Sequence, residues 1–375
     1  MLINSSKRKI DYYLFIPSIL LGLFSLLTLS SFGEIETRFI KQSVWMIFGI
    51  ITFIAIHYVD LSFIKNRKFT LTLYVACIIV LALLFITGHI SKGAQSWIKL
   101  GMLSIQPTDP AKLALIIILA KYFSKRHMEI GAFKHVFVSG IYAFILFILI
   151  LFQPDFGSSL TILAIWGGIV FVSGISKKHL LVLFSISLIV MGLAWSFLFK
   201  EYQKDRILNF VQPMRDIRGS GYNQYQAVIA VGSGELLGKG VGYGTQSRLK
   251  FLPEYQTDFI YAAHAEEWGF VGSVLVILLY LFILLRLIYL SSISNNNFDT
   301  LFIVGTMSFL AVHIIVNVGM NIGAMPVTGI PLPFMSYGGS HLIIEFITLG
   351  IVSNIIGQKK IFKAKSSDDF FEKYL

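Results

Sequence analysis

Residues 136–173 read VFVSGIYAFILFILILFQPDFGSSLTILAIWGGIVFVS, and Asp155 is the only charged side chain in that stretch. A bilayer span takes about 20 predominantly apolar residues. The stretch therefore reads as two apolar helices, 136–152 and 156–173, folded back on each other around the polar turn Gln153-Pro154-Asp155. The same signal recurs outward in both directions. On the N-terminal side lie 12–31, 42–59, 71–89 and 110–124, and on the C-terminal side 180–199, 259–285, 300–322 and 338–357. Ten spans predict an all-α integral membrane protein, a single polytopic domain over 1–375, with one large loop, 200–258, between the seventh and eighth spans. The first run has no small-residue cleavage site and reads as an anchor.

The composition agrees. The 375 residues are 55% hydrophobic and 14% charged, where a soluble chain carries about a quarter charged residues. A soluble multidomain enzyme, a disordered chain and a nucleic-acid-binding domain are excluded. The net charge of +11 follows the positive-inside pattern. With the N-terminus inside, the inner loops hold Lys7, Arg8, Lys9, Lys65, Arg67, Lys68, Lys121, Lys125, Arg126, Lys134, Lys177, Lys178 and Arg286, and the basic tail starts at Lys359. The short outer loops hold only Arg38, Lys41, Lys92 and Lys99. Both termini are expected in the cytoplasm, with loop 200–258 facing outward. Cys77, the single cysteine, reads as a small buried apolar side chain.

Ionisable groups at membrane depth are costly and point to function. Asp109 with Pro110 reads as a helix start, which puts Lys112 in the first turn. A cation there opposes the helix dipole, so Lys112 either meets an anion or snorkels to the interface. Asp155 reads as a helix cap or a working carboxylate. Loop 219–244 is glycine-dense, and it fails the P-loop pattern because Ser233 stands where that pattern needs Gly and Gly240 where it needs Ser or Thr. It is either a flexible turn-rich segment or a place where backbone approaches a ligand. The basic residues of the same large loop, Arg206, Arg215, Arg218, Lys239, Arg248 and Lys250, suit phosphates or anionic lipid heads.

Residues 251–272 bring Glu254, Asp258, Glu266 and Glu267 to one span entry. Glu266 falls about 12 Å beyond Asp258 along a helix, too far for a glycosidase pair at about 5–9.5 Å. One carboxylate suited to accepting a proton remains, Asp258, with helix capping as the structural alternative. Residues 317–340 contain no Lys, Arg, Asp or Glu. Irregular backbone near membrane depth is tolerated only when buried or lining a cavity, and Ser336, Tyr337 and Ser340 are placed to line one. His313, His341 and Glu345 are assigned packing or hydrogen-bond roles.

Five blocks together, QPTDPAK (106–112), QPDFGSS (153–159), AVGSGELLGKGVGYGTQS (230–247), FLPEYQTDFIYAAHAEEWGFVG (251–272) and GAMPVTGIPLPFMSYGGS (323–340), resemble the SEDS family (shape, elongation, division and sporulation). Their order covers nearly the whole chain, and their wording leans to the cell-elongation branch over the division branch. The resemblance implies a peptidoglycan glycosyltransferase that polymerises lipid II into glycan strands at the outer face of the cytoplasmic membrane. The donor's anomeric carbon would invert, and undecaprenyl pyrophosphate would leave. By the same resemblance Asp258 is the catalytic carboxylate. Lys112, Asp155, Glu254, Ser336 and Ser340 match motif positions around the substrate. Lys112 is the expected contact of the pyrophosphate, with Lys239 and Arg248 as further cations. The implied cofactor is a divalent cation, Mg²⁺ or Mn²⁺, with no ligand set assigned. The implied partner is a class B penicillin-binding protein. Three positions depart from the pattern: Thr108-Asp109 replaces a usual Ser-Glu, Ser96 stands where arginine is common, and Glu235 replaces a glycine. The rival readings are a lipid II flippase or ion-coupled transporter, the division-specific glycosyltransferase, and a non-catalytic scaffold.

Overall fold

The computed structural model describes residues 9–374 apart from 32–34, 88, 92–93, 101–102, 126–132, 177, 183–184, 186–188, 190–191, 193–194, 197–200, 213–215, 217–218 and 220. The helices in chain order are α1 (Tyr12–Ser30), α2 (Ile35–Tyr58), α3 (Arg67–Thr87), α4 (Thr108–Ser124), α5 (Phe133–Phe152), α6 (Phe156–Val172), α7 (Glu201–Val211), α8 (Tyr222–Ser233), α9 (Thr245–Arg248), α10 (Ile260–Ile293), α11 (Asn297–Asn321) and α12 (Gly339–Tyr374). Among the described residues seven helices are long and apolar enough to cross a membrane, on α1, α2, α3, α5, α10, α11 and α12, and α6 is a shorter apolar helix. The chain is a mostly helical, multi-pass membrane protein. The expected seventh span, 180–199, lies largely outside the described residues.

The bundle has an inside and a lipid side. α4 is buried almost all round, as expected of a helix that is apolar on every face. It packs on α3, α6 and α11. Leu115, Ile116, Leu119, Ile162, Ile165, Phe302 and Phe309 fill the space between them. α2 lies at the periphery and leans on α12, and its Ile47, Phe48 and Ile51 are exposed, as lipid contact requires.

Polar side chains tie the helix ends together. At one end Arg286 makes a bidentate pair with Asp11, Nη2 to Oδ2 at 2.6 Å and Nε to Oδ1 at 3.2 Å. The Asp11 amide donates to Ser353 Oγ at 3.2 Å, and Ser353 Oγ lies 2.9 Å from His57 Nδ1. Asn354 donates to the carbonyls of Ile56 and Val59, and Lys65 pairs with Asp299 at 2.7 Å. Loops that the charge pattern assigns to one side therefore meet on one side.

The mostly helical fold agrees with the expected all-α membrane protein and adds one small element: β1 (His89–Ser91), β2 (Ala94–Leu100) and β3 (Leu103–Ile105) form an antiparallel sheet in the order β1-β2-β3. Ile98 pairs with Ile105 and Leu100 with Leu103. The large loop 200–258 carries α7, α8 and α9. Ala227 and Ala230 of α8 pack on Leu252, Tyr255, Phe259, Ala262 and Ala263 as a small second core. These small side chains let α8 lie close against the start of α10.

Candidate active site

Asp258 ends a tight turn held by several backbone hydrogen bonds. The amides of Thr257 and Phe259 both donate to the Glu254 carbonyl, at 3.1 and 3.2 Å. Ser336 Oγ donates to the Thr257 carbonyl at 2.6 Å. The Asp258 carbonyl accepts from Asn317 Nδ2 at 2.9 Å and Asn321 Nδ2 at 3.1 Å. Asn321 Oδ1 accepts the Ala262 amide at 3.0 Å, which satisfies one of the first donors of α10. The residue before α10 is Phe259, whose side chain makes no capping hydrogen bond. The Asp258 side chain is half-buried. Opposite it stands Gly329 with φ +76°, where an added Cβ would lie 3.6 Å from Asp258 Oδ2. Bare backbone thus faces the carboxylate. Glu254 opens the turn at φ 53° and its Oε2 accepts from Thr257 Oγ1 at 2.9 Å.

In the irregular segment after α11, residues 330 and 332–336 are buried in protein, as irregular backbone at membrane depth requires. Arg38 of α2 donates to Gln256 Oε1, and the Tyr337 amide donates to the Gln256 carbonyl at 2.8 Å. Gln42 brackets the same strand, giving to the Ser336 carbonyl and taking from the Gly338 amide, each at 3.3 Å. Ser336 is buried, and its Oγ also accepts the Leu332 amide at 2.7 Å. Phe334 has φ 60°, and its amide donates to Glu345 Oε2 at 2.8 Å. Burial raises the Tyr337 hydroxyl above its ordinary value against the pull of the Arg38 charge.

A second polar chain runs through Lys112. Its Nζ lies 3.1 Å from Asp109 Oδ1, with the two side chains 2% and 1% exposed. His341 spans two carboxylates, Nδ1 at 3.3 Å from Asp109 and Nε2 at 2.7 Å from Glu345. Ser340 Oγ donates to Asp109 Oδ2 at 3.4 Å and accepts the Gln106 amide at 3.3 Å. Gln106 Nε2 donates to Asp155 Oδ2 at 3.0 Å, while Asp155 Oδ1 accepts the Ser158 amide at 2.9 Å. Lys112, Asp155 and Ser340 thus share one network. Asp155 caps α6. Asp109 does not cap α4, which begins at Thr108; its carboxylate is instead the anion that Lys112 meets. The snorkelling reading of Lys112 falls with its burial. His313, His341 and Glu345 serve as hydrogen-bonding groups, His313 contacting the Pro331 carbonyl at 3.0 Å and Thr161 Oγ1 at 3.3 Å.

Lys239 and Arg248 belong to a third cluster. Glu266, fully buried, accepts from Lys239 Nζ at 2.9 Å, Thr245 Oγ1 at 3.1 Å, the Gln246 amide at 2.9 Å and Ser247 Oγ at 2.8 Å. Arg248 Nη1 donates to the Gly242 carbonyl at 3.1 Å. The glycine-rich loop docks where α10 breaks at Gly269, φ 64° and ψ −161°. The amides of Lys239 and Gly240 donate to the carbonyls of Glu266 and Glu267, and the amides of Phe270 and Val271 donate back to Glu235 and Leu236. A Cβ on Gly238 would lie 2.1 Å from the Glu267 carbonyl oxygen. At Gly234 and Gly238 the absence of a side chain admits the backbone of α10.

Asn317 and Asn321 were not singled out by their sequence. Their signal is two amides one turn apart in an apolar helix, where polar groups need a reason. Among the described residues no group of three or more His, Cys, Asp or Glu side chains converges to hold a metal ion.

The comparisons with known proteins agree with this arrangement. A model of cell cycle proteins of the FtsW, RodA and SpoVE type matches residues 9–361. The peptidoglycan glycosyltransferase MrdB of Escherichia coli strain K12 is 37% identical over 289 residues, 77% of this chain and 78% of its own length. Stage V sporulation protein E of Bacillus subtilis strain 168 is 37% identical over 314 residues, 81% of this chain and 84% of its own. A chain from a solved peptidoglycan synthase complex that coordinates polymerization and crosslinking superposes with a TM-score of 0.80 at 30% identity, covering 92% of this chain and 97% of that one. The rod shape determining protein RodA of Thermus thermophilus superposes with a TM-score of 0.69 at 27% identity, covering 93% and 97%. With the five motif blocks, the polytopic helical fold and a family match across most of its length, the chain belongs to the FtsW/RodA/SpoVE family, the SEDS family.

Proposed function

We infer that this chain is a peptidoglycan glycosyltransferase of the RodA type, polymerising lipid II during cell elongation. The observation that carries the reading is Asp258: a half-buried carboxylate at one end of the bundle, facing bare backbone at Gly329, with its main chain clamped by two asparagines. Asp258 takes the proton from the 4-hydroxyl of the acceptor sugar. That oxygen attacks the donor's anomeric carbon, the bond to undecaprenyl diphosphate breaks with its electron pair, and the centre inverts from α to β. A diphosphate leaves without a general acid when its charge is neutralised, so one base suffices. Lys112, Asp155 and Ser340 hold the α4–α6–α12 contact beneath the site, and Glu254 and Ser336 fix the turn that presents Asp258. We assign these five a positioning role. Lys239 and Arg248 brace the glycine-rich loop. Among the described residues no three His, Cys, Asp or Glu side chains converge on a metal ion, and no step here passes through one.

The same reading places both termini in the cytoplasm and α7 to α9 outside the cytoplasmic membrane, where lipid II is presented among membrane lipids. The partner we propose is a class B penicillin-binding protein, which would crosslink the strands. Purified chain with that partner, given lipid II in detergent, should yield glycan strands. Asp258→Asn should lower the rate by about 10²-fold or more, the size of a lost general base. Near-normal polymerisation by Asp258→Asn would remove the assigned base, and wild-type protein that leaves lipid II unchanged would favour transport.

A further inference from the structure

Four ionisable side chains are packed out of water between α4 and α12. Lys112 is 2% exposed, Asp109 and Glu345 1% each, and His341 6%. Two carboxylates facing one ammonium would leave a net negative charge buried, a costly arrangement. His341 stands between the acids. Its Nδ1 is 3.3 Å from Asp109 Oδ1 and its Nε2 2.7 Å from Glu345 Oε1. A neutral imidazole has one N–H and one lone pair, so one nitrogen would turn a lone pair toward a carboxylate oxygen. A ring protonated at both nitrogens meets both acids with positive charge, and the four groups then sum to zero. The Glu345 contact agrees with this. Nε2 and Oε1 make no aligned hydrogen bond among the described residues, so opposite charge rather than bond direction holds them at 2.7 Å.

Among the described residues the other ionisable groups facing this quartet are His313 of α11 and Tyr280 of α10. His313 stacks on His341 with ring centroids 5.1 Å apart at 20°. Its Nδ1 lies 3.0 Å from the Pro331 carbonyl, a contact that takes the one proton of a neutral ring. Tyr280 donates its hydroxyl to the Pro333 carbonyl. Glu345 Oε2 accepts the Phe334 amide at 2.8 Å. The neighbours of His341 thus grip three successive positions of the irregular segment, 331, 333 and 334. That segment presents the base: Ser336 Oγ accepts the Leu332 amide at 2.7 Å and donates at 2.6 Å to the carbonyl of Thr257, the residue before Asp258. The path therefore runs from the ring to Glu345, from Glu345 to residues 331–336, and from Ser336 to the Asp258 turn.

We propose that His341 is a positioning residue for glycosyl transfer: a doubly protonated ring that balances Asp109 and Glu345 and so holds residues 331–336 against the Asp258 turn. The positioning role rests on the glycosyltransferase reading, whereas the charge of the ring is measured without turnover. Nitrogen-15 spectra of the full chain in lipid vesicles, labelled at its 8 histidines, should show at pH 7.5 one ring with both nitrogens of imidazolium type that disappears in His341→Gln. On lipid II, His341→Gln should lower kcat about tenfold or more, the effect of a slightly misplaced base, and leave KM within about twofold. Adding Glu345→Gln removes the stranded charge and keeps an acceptor for the Phe334 amide, so the double variant should regain most of the lost kcat. A neutral His341 ring in the wild-type spectrum would overturn the proposal, and that reading stands even where His341→Gln fails to fold. A double variant no faster than His341→Gln would overturn it too, because the ring would then serve by its shape alone. Wild-type chain inert toward lipid II would overturn the glycosyltransferase reading and the positioning role with it, and the spectrum would still decide the charge.

Discussion

At the scale of single residues the site is a question of who holds whom. Asn317 and Asn321 donate to the main-chain carbonyl of Asp258, so they set where the carboxylate stands without touching it. Replacing Asn321 by Leu leaves the Asp258 carbonyl one donor short and the Ala262 amide unpartnered, a loss of about 1–3 kcal/mol for a buried group. Asn321→Leu should lower the melting temperature modestly and reduce kcat for lipid II more than it raises KM. Lys112 is a different case, because its ammonium answers a buried carboxylate. Lys112→Met should destabilise the fold by about 3–5 kcal/mol, the cost of stranding a buried charge, and Lys112→Met with Asp109→Asn should regain part of that in thermal unfolding. Asp258 was legible in the sequence because a carboxylate at a span entry is conspicuous and its flanking motif is distinctive. The asparagines were not, since an amide inside an apolar run has no signature until its partner, a backbone carbonyl on another segment, is seen.

At the scale of elements, the break in α10 and the glycine-rich loop form one unit. Each supplies amides to the other's carbonyls, and the carboxylate of Glu266 draws the loop's Lys239, Thr245, Gln246 and Ser247 into a single knot. An added Cβ on Gly269 would lie 2.3 Å from the Gly238 nitrogen, at a φ of +64°. Gly269→Ala therefore combines a backbone clash with about 1–3 kcal/mol of strain, since φ 64° with ψ −161° is a conformation essentially only glycine adopts. It should cut the yield of monodisperse protein sharply, whereas Gly167→Ala, where nothing lies within 4 Å of the added carbon, should leave the yield near wild type. The apolar runs were readable because a 20-residue hydrophobic segment has few alternatives in water or lipid. The loop's glycines were not, because glycine reports close approach without naming what approaches. The small sheet at 89–105 was hidden for another reason: its strands are too short for alternation to stand out from loop composition.

At the scale of the whole molecule, two polar ends enclose an apolar middle. The end holding Asp11, His57, Arg286 and Asn354 is the one the charge asymmetry assigns to the cytoplasm. A fluorescent protein fused after residue 375 should therefore fold and emit, and alkaline phosphatase inserted near 235–240 should be active outside; the reverse pattern would invert the whole arrangement. The side assignment is an expectation drawn from the loops alone, since lysine and arginine counts need no tertiary information, and the two fusions are its test. Which helices meet was not legible, since that depends on contacts between residues hundreds of positions apart. The bidentate pair between Asp11 and Arg286, and the grip of Asn354 on the end of α2, have a bearing on biosynthesis. α1 and α2 emerge from the ribosome early, yet the side chains that complete them belong to the last third of the chain. Asp11, Gln42 and His57 stand at or near the ends of α1 and α2 without their counterparts until those later segments are made, a costly condition for polar groups beside lipid. The α1–α2 pair is thus completed only when α10 and α12 arrive, and a chain released before them would present quality-control proteases with an orphaned pair of helices.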